Sequence, residues 1–185
     1  MDPDAALEAL LADEAAGRLS PFLCFWGDKA KADHPGPWVL SQWWPVTFDV
    51  DGIGFRHAEG YMMREKALLF GDEATAARVE AATHPGEAKK LGRQVRGFDQ
   101  AAWEQAAFGI VVRGNVAKFG QHPDLRDYLL ATAPKVLVEA SPIDRIWGVG
   151  LAGDDPRVHA PSEWRGRNLL GFALMEARDQ LTESV

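Results

Sequence analysis

Helix-start signals recur through the middle of the chain, and they limit its fold more than any other feature. Asp72, the run Thr83-His84-Pro85-Gly86-Glu87, Asp99 and Pro123 each precede a stretch of helically spaced apolar residues. An Asp side chain accepts from first-turn N–H groups, proline suits the first helical position, and an early acid complements the helix dipole. The expected helices run from Asp72 through Ala82, from Thr83 to about Gly92, from Gln100 to about Phe119 and from Pro123 to about Ala131. A last one covers Asn168 through Leu181, and an Ala/Leu/Glu helix over residues 3–16 is closed by Gly17. Strand signals are fewer. Residues 21–26 and 135–140 are apolar, and residues 45–56 alternate around Asp51-Gly52 as a hairpin does. Residues 27–37 and 141–167 read as loop. The expectation is a helix-rich α+β domain with a small β-sheet and hairpin. At 185 residues it forms one domain (21–185) preceded by an N-terminal helical extension (1–20).

Composition removes several function classes. A single cysteine, Cys24, excludes an internal disulfide and a cysteine-rich metal site, and the cytosol is the expected compartment. The acidic start Met1-Asp2-Pro3-Asp4 lacks the basic region of a signal peptide, and no apolar run reaches membrane-spanning length. The five histidines show no ligand spacing, so neither a metal nor a cofactor is expected. A net charge of −7 argues against strong sequence-independent binding to nucleic acid and mildly favours small substrates.

Two stretches carry candidate chemistry. In Phe55-Arg56-His57-Ala58-Glu59 through Leu69, a strand end runs into a helix that places Glu59 and Lys66 seven residues apart, on one face. Tyr61, Met62, Met63 and Leu69 surround them. A carboxylate and an amine on a half-buried face are an ion pair, two solvated ends, or catalytic groups. The second stretch is Glu139-Ala140-Ser141-Pro142-Ile143-Asp144-Arg145-Ile146-Trp147-Gly148-Val149-Gly150, where a strand delivers a loop with a carboxylate, an indole and two glycines. Asp144 alternatively caps that turn. Trp26, Trp38, Trp43 and Trp44 crowd a Pro/Gly-rich region, as walls of a ligand slot or as a core plug.

Taken together these segments resemble the NADAR (YbiA-like) family. Ser41-Gln42-Trp43-Trp44-Pro45 is similar to its Ser-Asn-aromatic-aromatic-Pro element, and Glu59 to Lys66-Ala67 resembles its Glu-His-Tyr-x-x-x-x-Lys-Ala helix. Ala88-Lys89-Lys90-Leu91-Gly92-Arg93, Trp103, Lys118-Phe119 and Leu137-Val138-Glu139-Ala140-Ser141 follow in family order. Asp144-x-x-Trp147-Gly148-x-Gly150 and Gly166-Arg167-Asn168 through Arg178 complete a match over roughly residues 22–181. One position departs: the histidine usual after the family's glutamate is Gly60 here.

The resemblance implies an N-glycosidase acting on a C–N ribosidic bond. One implied substrate is ADP-ribosylated guanine, the other a phosphorylated ribosylamino-pyrimidine of riboflavin synthesis. A non-catalytic module that binds ADP-ribose or NAD is a third reading, opposed by the presence of Glu59, Lys66 and Asp144 together. Implied partners are ADP-ribose or a ribosyl-phosphate small molecule, ADP-ribosylated nucleic acid and a cognate ADP-ribosyltransferase, with no membrane. Breaking the bond develops positive charge on the sugar, which Glu59 and Asp144 would stabilise while activating water or protonating the leaving group. Lys66 offers a Schiff-base route. Trp43, Trp44, Trp103 and Trp147 are the aromatic candidates for binding, with Gly148 in the same loop. Trp103 reads equally as a core residue. Arg93 and Lys118 are candidate phosphate ligands or surface ion pairs. Asn168 is an N-cap or, with Arg167, a phosphate site at a helix N-terminus.

Overall fold

The computed structural model describes residues 1–183. Positions 184 and 185 of the expected domain lie outside the described residues. The described chain contains α1 (Pro3–Ala15), β1 (Phe22–Phe25), β2 (Phe48–Val50), β3 (Ile53–Phe55) and α2 (Ala58–Leu69). α3 (Glu73–Ala81), α4 (Pro85–Gly92), α5 (Gln100–Gly120), α6 (Pro123–Leu130), β4 (Val136–Glu139) and α7 (Leu169–Glu183) follow. The architecture is helix-rich α+β with two small sheets. Asp72 and Asp99 cap α3 and α5, accepting from Thr75 N and Ala102 N. At α4 the cap is His84, not Thr83, and its ring accepts from Gly86 N at 3.0 Å.

β1 and β4 pair in parallel, Phe22 opposite Val136 and Phe25 opposite Glu139. A parallel pair requires a long crossover, here supplied by the helices between them. β2 and β3 form the hairpin, with Asp51 and Gly52 at positive φ of 52° and 79° in its turn. The main core packs Phe25, Val39, Leu40, Met62, Val111, Phe119, Leu129, Leu137, Leu170 and Leu174. A second cluster on the other side of β4 joins Val136, Val138, Val149, Phe172 and Leu10. Leu10 belongs to α1, which is tied down by Glu14 accepting from Ser162 N and Oγ and by an Asp4–Arg167 ion pair.

α7 lies close on β4 because Gly171 has no side chain. A Cβ there would stand 2.1 Å from Leu137 O. Asn168, completely buried at φ 54°, completes that contact: its Oδ1 accepts from Glu139 N at 3.0 Å and its Nδ2 donates to Leu137 O at 2.9 Å. This fixes the end of β4 that carries Glu139. Among the described residues, no helix is long and apolar enough to cross a membrane.

Candidate active site

A cavity of about 860 Å³ opens where α2, α4, the start of α5, the end of β4 and three loops converge. α2 contributes Glu59, Met62, Met63 and Lys66. Its N-terminus is organised by His57, whose Nδ1 accepts from Gly60 N at 2.8 Å. Burial first, then His84, holds the His57 pKa down at about 4, so the ring is neutral and able to accept. That ring lies against Gly60, where a Cβ would stand 3.0 Å from His57 Cε1. A side chain at position 60 would crowd the cap. The backbone N–H of Glu59 donates to Gln42 O at 2.9 Å and docks the Ser41–Trp43 turn onto the same helix end.

Glu59 is 6% exposed and has no ion-pair partner among the described residues. Burial raises its pKa, opposed by Lys89 and the Trp43 indole, with Asp144 raising it further and Arg93 lowering it. Glu139 behaves alike: burial and then Asp144 push it up to about 8 against the pull of Lys89. Asp144 Oδ1 accepts from Ile146 N at 2.9 Å and Trp147 N at 2.8 Å, so it does cap its turn while also lining the cavity. Three carboxyl groups therefore share one cavity, with Lys89 acting on Glu59 and Glu139 alike.

Lys66 and Glu59 do not pair. Seven residues return a helix to the same face but advance it about 10 Å along the axis. Lys66 instead lies with Nζ 4.2 Å from the Phe98 ring centroid and 5.5 Å from that of Trp103. Burial lowers its pKa, which favours the neutral, nucleophilic amine.

Trp43, Trp103, Trp147 and Arg93 line the cavity with these groups. Four other expected site residues do not. Lys118 is fully buried behind it, donating to Val39 O and Ser41 O, and burial holds its pKa down at about 7. Its position on α5 places it on the inward face with Asn115 and Phe119, where no phosphate can reach it. Trp44 packs against the main core. Gly148 sits beneath the loop, where a Cβ would stand 2.9 Å from Glu139 O, and so lets that loop fold back on β4. Asn168 bonds to β4 and Arg167 to Asp4, leaving no phosphate site at the start of α7. Conversely, Lys89, Glu139 and Gln42 line the cavity without having been singled out from sequence. The available signal for Glu139 was its place as the first polar residue after the apolar run of β4. Among the described residues, no group of three or more His, Cys, Asp or Glu side chains is arranged to hold a metal ion.

Fold and site define a compact α+β domain with an acid- and lysine-bearing cavity flanked by indoles, a catalytic rather than a scaffolding architecture. The NADAR domain model matches residues 24–182. The chain is 42% identical over 156 residues to N-glycosidase R617 of Acanthamoeba polyphaga mimivirus, covering 82% of this chain and 92% of that protein. It is 35% identical over 138 residues to N-glycosidase YbiA of Escherichia coli (strain K12), covering 75% and 76%. The NMR structure of E. coli YbiA superposes with a TM-score of 0.72 at 28% identity, over 90% of this chain and 88% of that one. A 111-residue segment, 58% of this chain, is 35% identical to 16% of the chloroplastic riboflavin biosynthesis protein PYRR of Zea mays. The chain belongs to the NADAR family, and its homologues support a glycosidase activity.

Proposed function

We propose that this N-glycosidase removes ADP-ribose from ADP-ribosylated guanine by cleaving the C–N bond between ribose and base. The observation that carries the reading is the convergence of Glu59, Glu139, Asp144 and Lys66 on one indole-flanked cavity, with Lys89 and Arg93 at its side. Burial raises both pKa values and so favours the protonated forms of Glu59 and Glu139, as the departure of a basic leaving group requires. As the C–N bond breaks, its electron pair goes to the base nitrogen, which takes a proton from one of these acids. Positive charge on the sugar is met by the remaining carboxylate. The Lys66 amine, in its neutral form, bonds to the anomeric carbon; as the bond from that carbon to the ring oxygen breaks, the amine proton passes to the oxygen and an imine remains, which water hydrolyses to free the sugar and restore the amine. Trp43 and Trp103 supply flat surfaces for a base or for adenine. Lys89 and Arg93 supply cations for phosphate oxygens.

A second reading has one observation in its favour, the kinship with a protein named for riboflavin biosynthesis. It makes the substrate a phosphorylated ribosylamino-pyrimidine. The test is to incubate the enzyme with a guanine-ADP-ribosylated oligonucleotide and, separately, with a ribosylamino-pyrimidine phosphate, and to quantify released sugar by mass spectrometry. Release of ADP-ribose supports the first reading. Release from the small substrate alone moves the function to the second, and release from neither sinks both. Borohydride reduction during turnover is expected to leave a sugar adduct on Lys66; turnover retained in Lys66→Ala would remove the imine route.

A further inference from the structure

The Ser41–Trp43 turn is fixed from behind by two side chains of α5. Lys118 Nζ donates to the carbonyls of Val39 at 2.6 Å and Ser41 at 2.9 Å. Asn115 is completely buried and donates Nδ2 to Val111 O at 2.9 Å. A backbone carbonyl can only accept, so this bond decides which end of the Asn115 amide is which. Its Oδ1 is then the acceptor for Gln42 Nε2 at 3.1 Å, and the Gln42 amide is oriented in turn. Gln42 lines the cavity, and its backbone carbonyl is already taken by Glu59 N–H. Its Oε1 has no partner among the described residues and is not sealed from solvent. Gln42, which lines the cavity, thus carries one oriented carbonyl acceptor on the turn that meets Glu59.

We infer that Gln42 is a specificity-determining residue, selecting ligands whose base presents an exocyclic amino donor, as the amino-pyrimidinone edge of guanine does. The inference rests on reading the cavity as a base-binding site. A pre-oriented acceptor needs no reordering to bind a donor, whereas a base lacking the donor leaves the oxygen unpaired once water is displaced. Gln42 cannot turn its amide to serve such a base without breaking its bond to Asn115 and forcing that residue off Val111 O. The same chain of bonds gives Asn115 and Lys118 a role as positioning residues that do not touch the ligand.

The probes are guanosine and inosine 5′-monophosphates, which differ by the exocyclic amine alone, titrated into the full chain by calorimetry. Wild type is expected to bind the guanosine nucleotide roughly tenfold tighter or more. Gln42→Leu is expected to bring the ratio close to one at an unchanged circular-dichroism spectrum. Equal affinity of wild type for both, no measurable binding of either, or a preference that survives Gln42→Leu overturns the assignment. Binding requires no turnover, so that result removes Gln42 from its role and leaves sugar release to decide the glycosidase reading.

Discussion

Two acids at helix N-termini, both nearly inaccessible, behave in opposite ways. Asp72 at the start of α3 is 2% exposed and Glu59 at the start of α2 is 6% exposed. Asp72 accepts from Thr75 N and Oγ1 and from Arg96 N, Nε and Nη2. Those donors, the Arg96 guanidinium foremost, hold its carboxyl well below the usual carboxylate range. Glu59 has no such set of donors, and its pKa moves up. Burial alone therefore does not mark a functional carboxylate; burial without sufficient donors does. The same contrast separates Lys118, satisfied by two carbonyls, from Lys66, which faces aromatic rings in the cavity.

The largest stability effect is expected at Asp72. Asp72→Ala removes a cap and five hydrogen bonds and is expected to lower Tm by several degrees or more while specific activity is kept. Glu59→Gln is the matched control and is expected to leave Tm unchanged or higher, because it removes a poorly compensated buried acid. A Tm loss at Glu59 equal to that at Asp72 would break the comparison.

Lys118→Met comes next. It leaves the carbonyls of Val39 and Ser41 without a donor, an expected loss of about 1–3 kcal/mol by denaturant titration. The folded pKa of Lys118 is depressed to about 7 from 10.5, so the unfolded chain binds the extra proton between those values. Stability from this group therefore rises with pH from about 7 to 10.5, a gradient the Met variant is expected to lack.

Glu139 gives a further pH dependence, of opposite sign. Its folded pKa is raised to about 8 from 4.5, so its contribution is fully present below 4.5 and lost as pH rises through about 8. Relative to wild type, Glu139→Gln is expected to gain stability steadily across that window in melting curves. A flat difference would mean that Glu139 is solvated like an ordinary surface acid.

Much of this was legible in the chain because its signals are local. Asp72 and Asp99 announce α3 and α5 through capping chemistry that involves only the next few residues. The hairpin is carried by Asp51-Gly52 in the same way. Glu59 and Lys66 were visible as one face of a helix, but their roughly 10 Å axial separation is what decides that they do not pair. The pairing of β1 with β4 was not legible, since it depends on the packing of all the helices between them. That same packing turns Lys118 inward and brings Glu139 and Lys89 to the cavity. Charge sequence alone does not say which side of a helix meets the core.

The most direct measurement is release of ADP-ribose from a guanine-ADP-ribosylated oligonucleotide by wild type, Glu59→Gln and Asp72→Ala, at a temperature where all three are folded. Release lost by roughly 10²–10⁴-fold in Glu59→Gln and retained in Asp72→Ala is the predicted result. Full activity in Glu59→Gln, or equal loss in both, would contradict the claim that the partner-poor carboxylates are the catalytic ones.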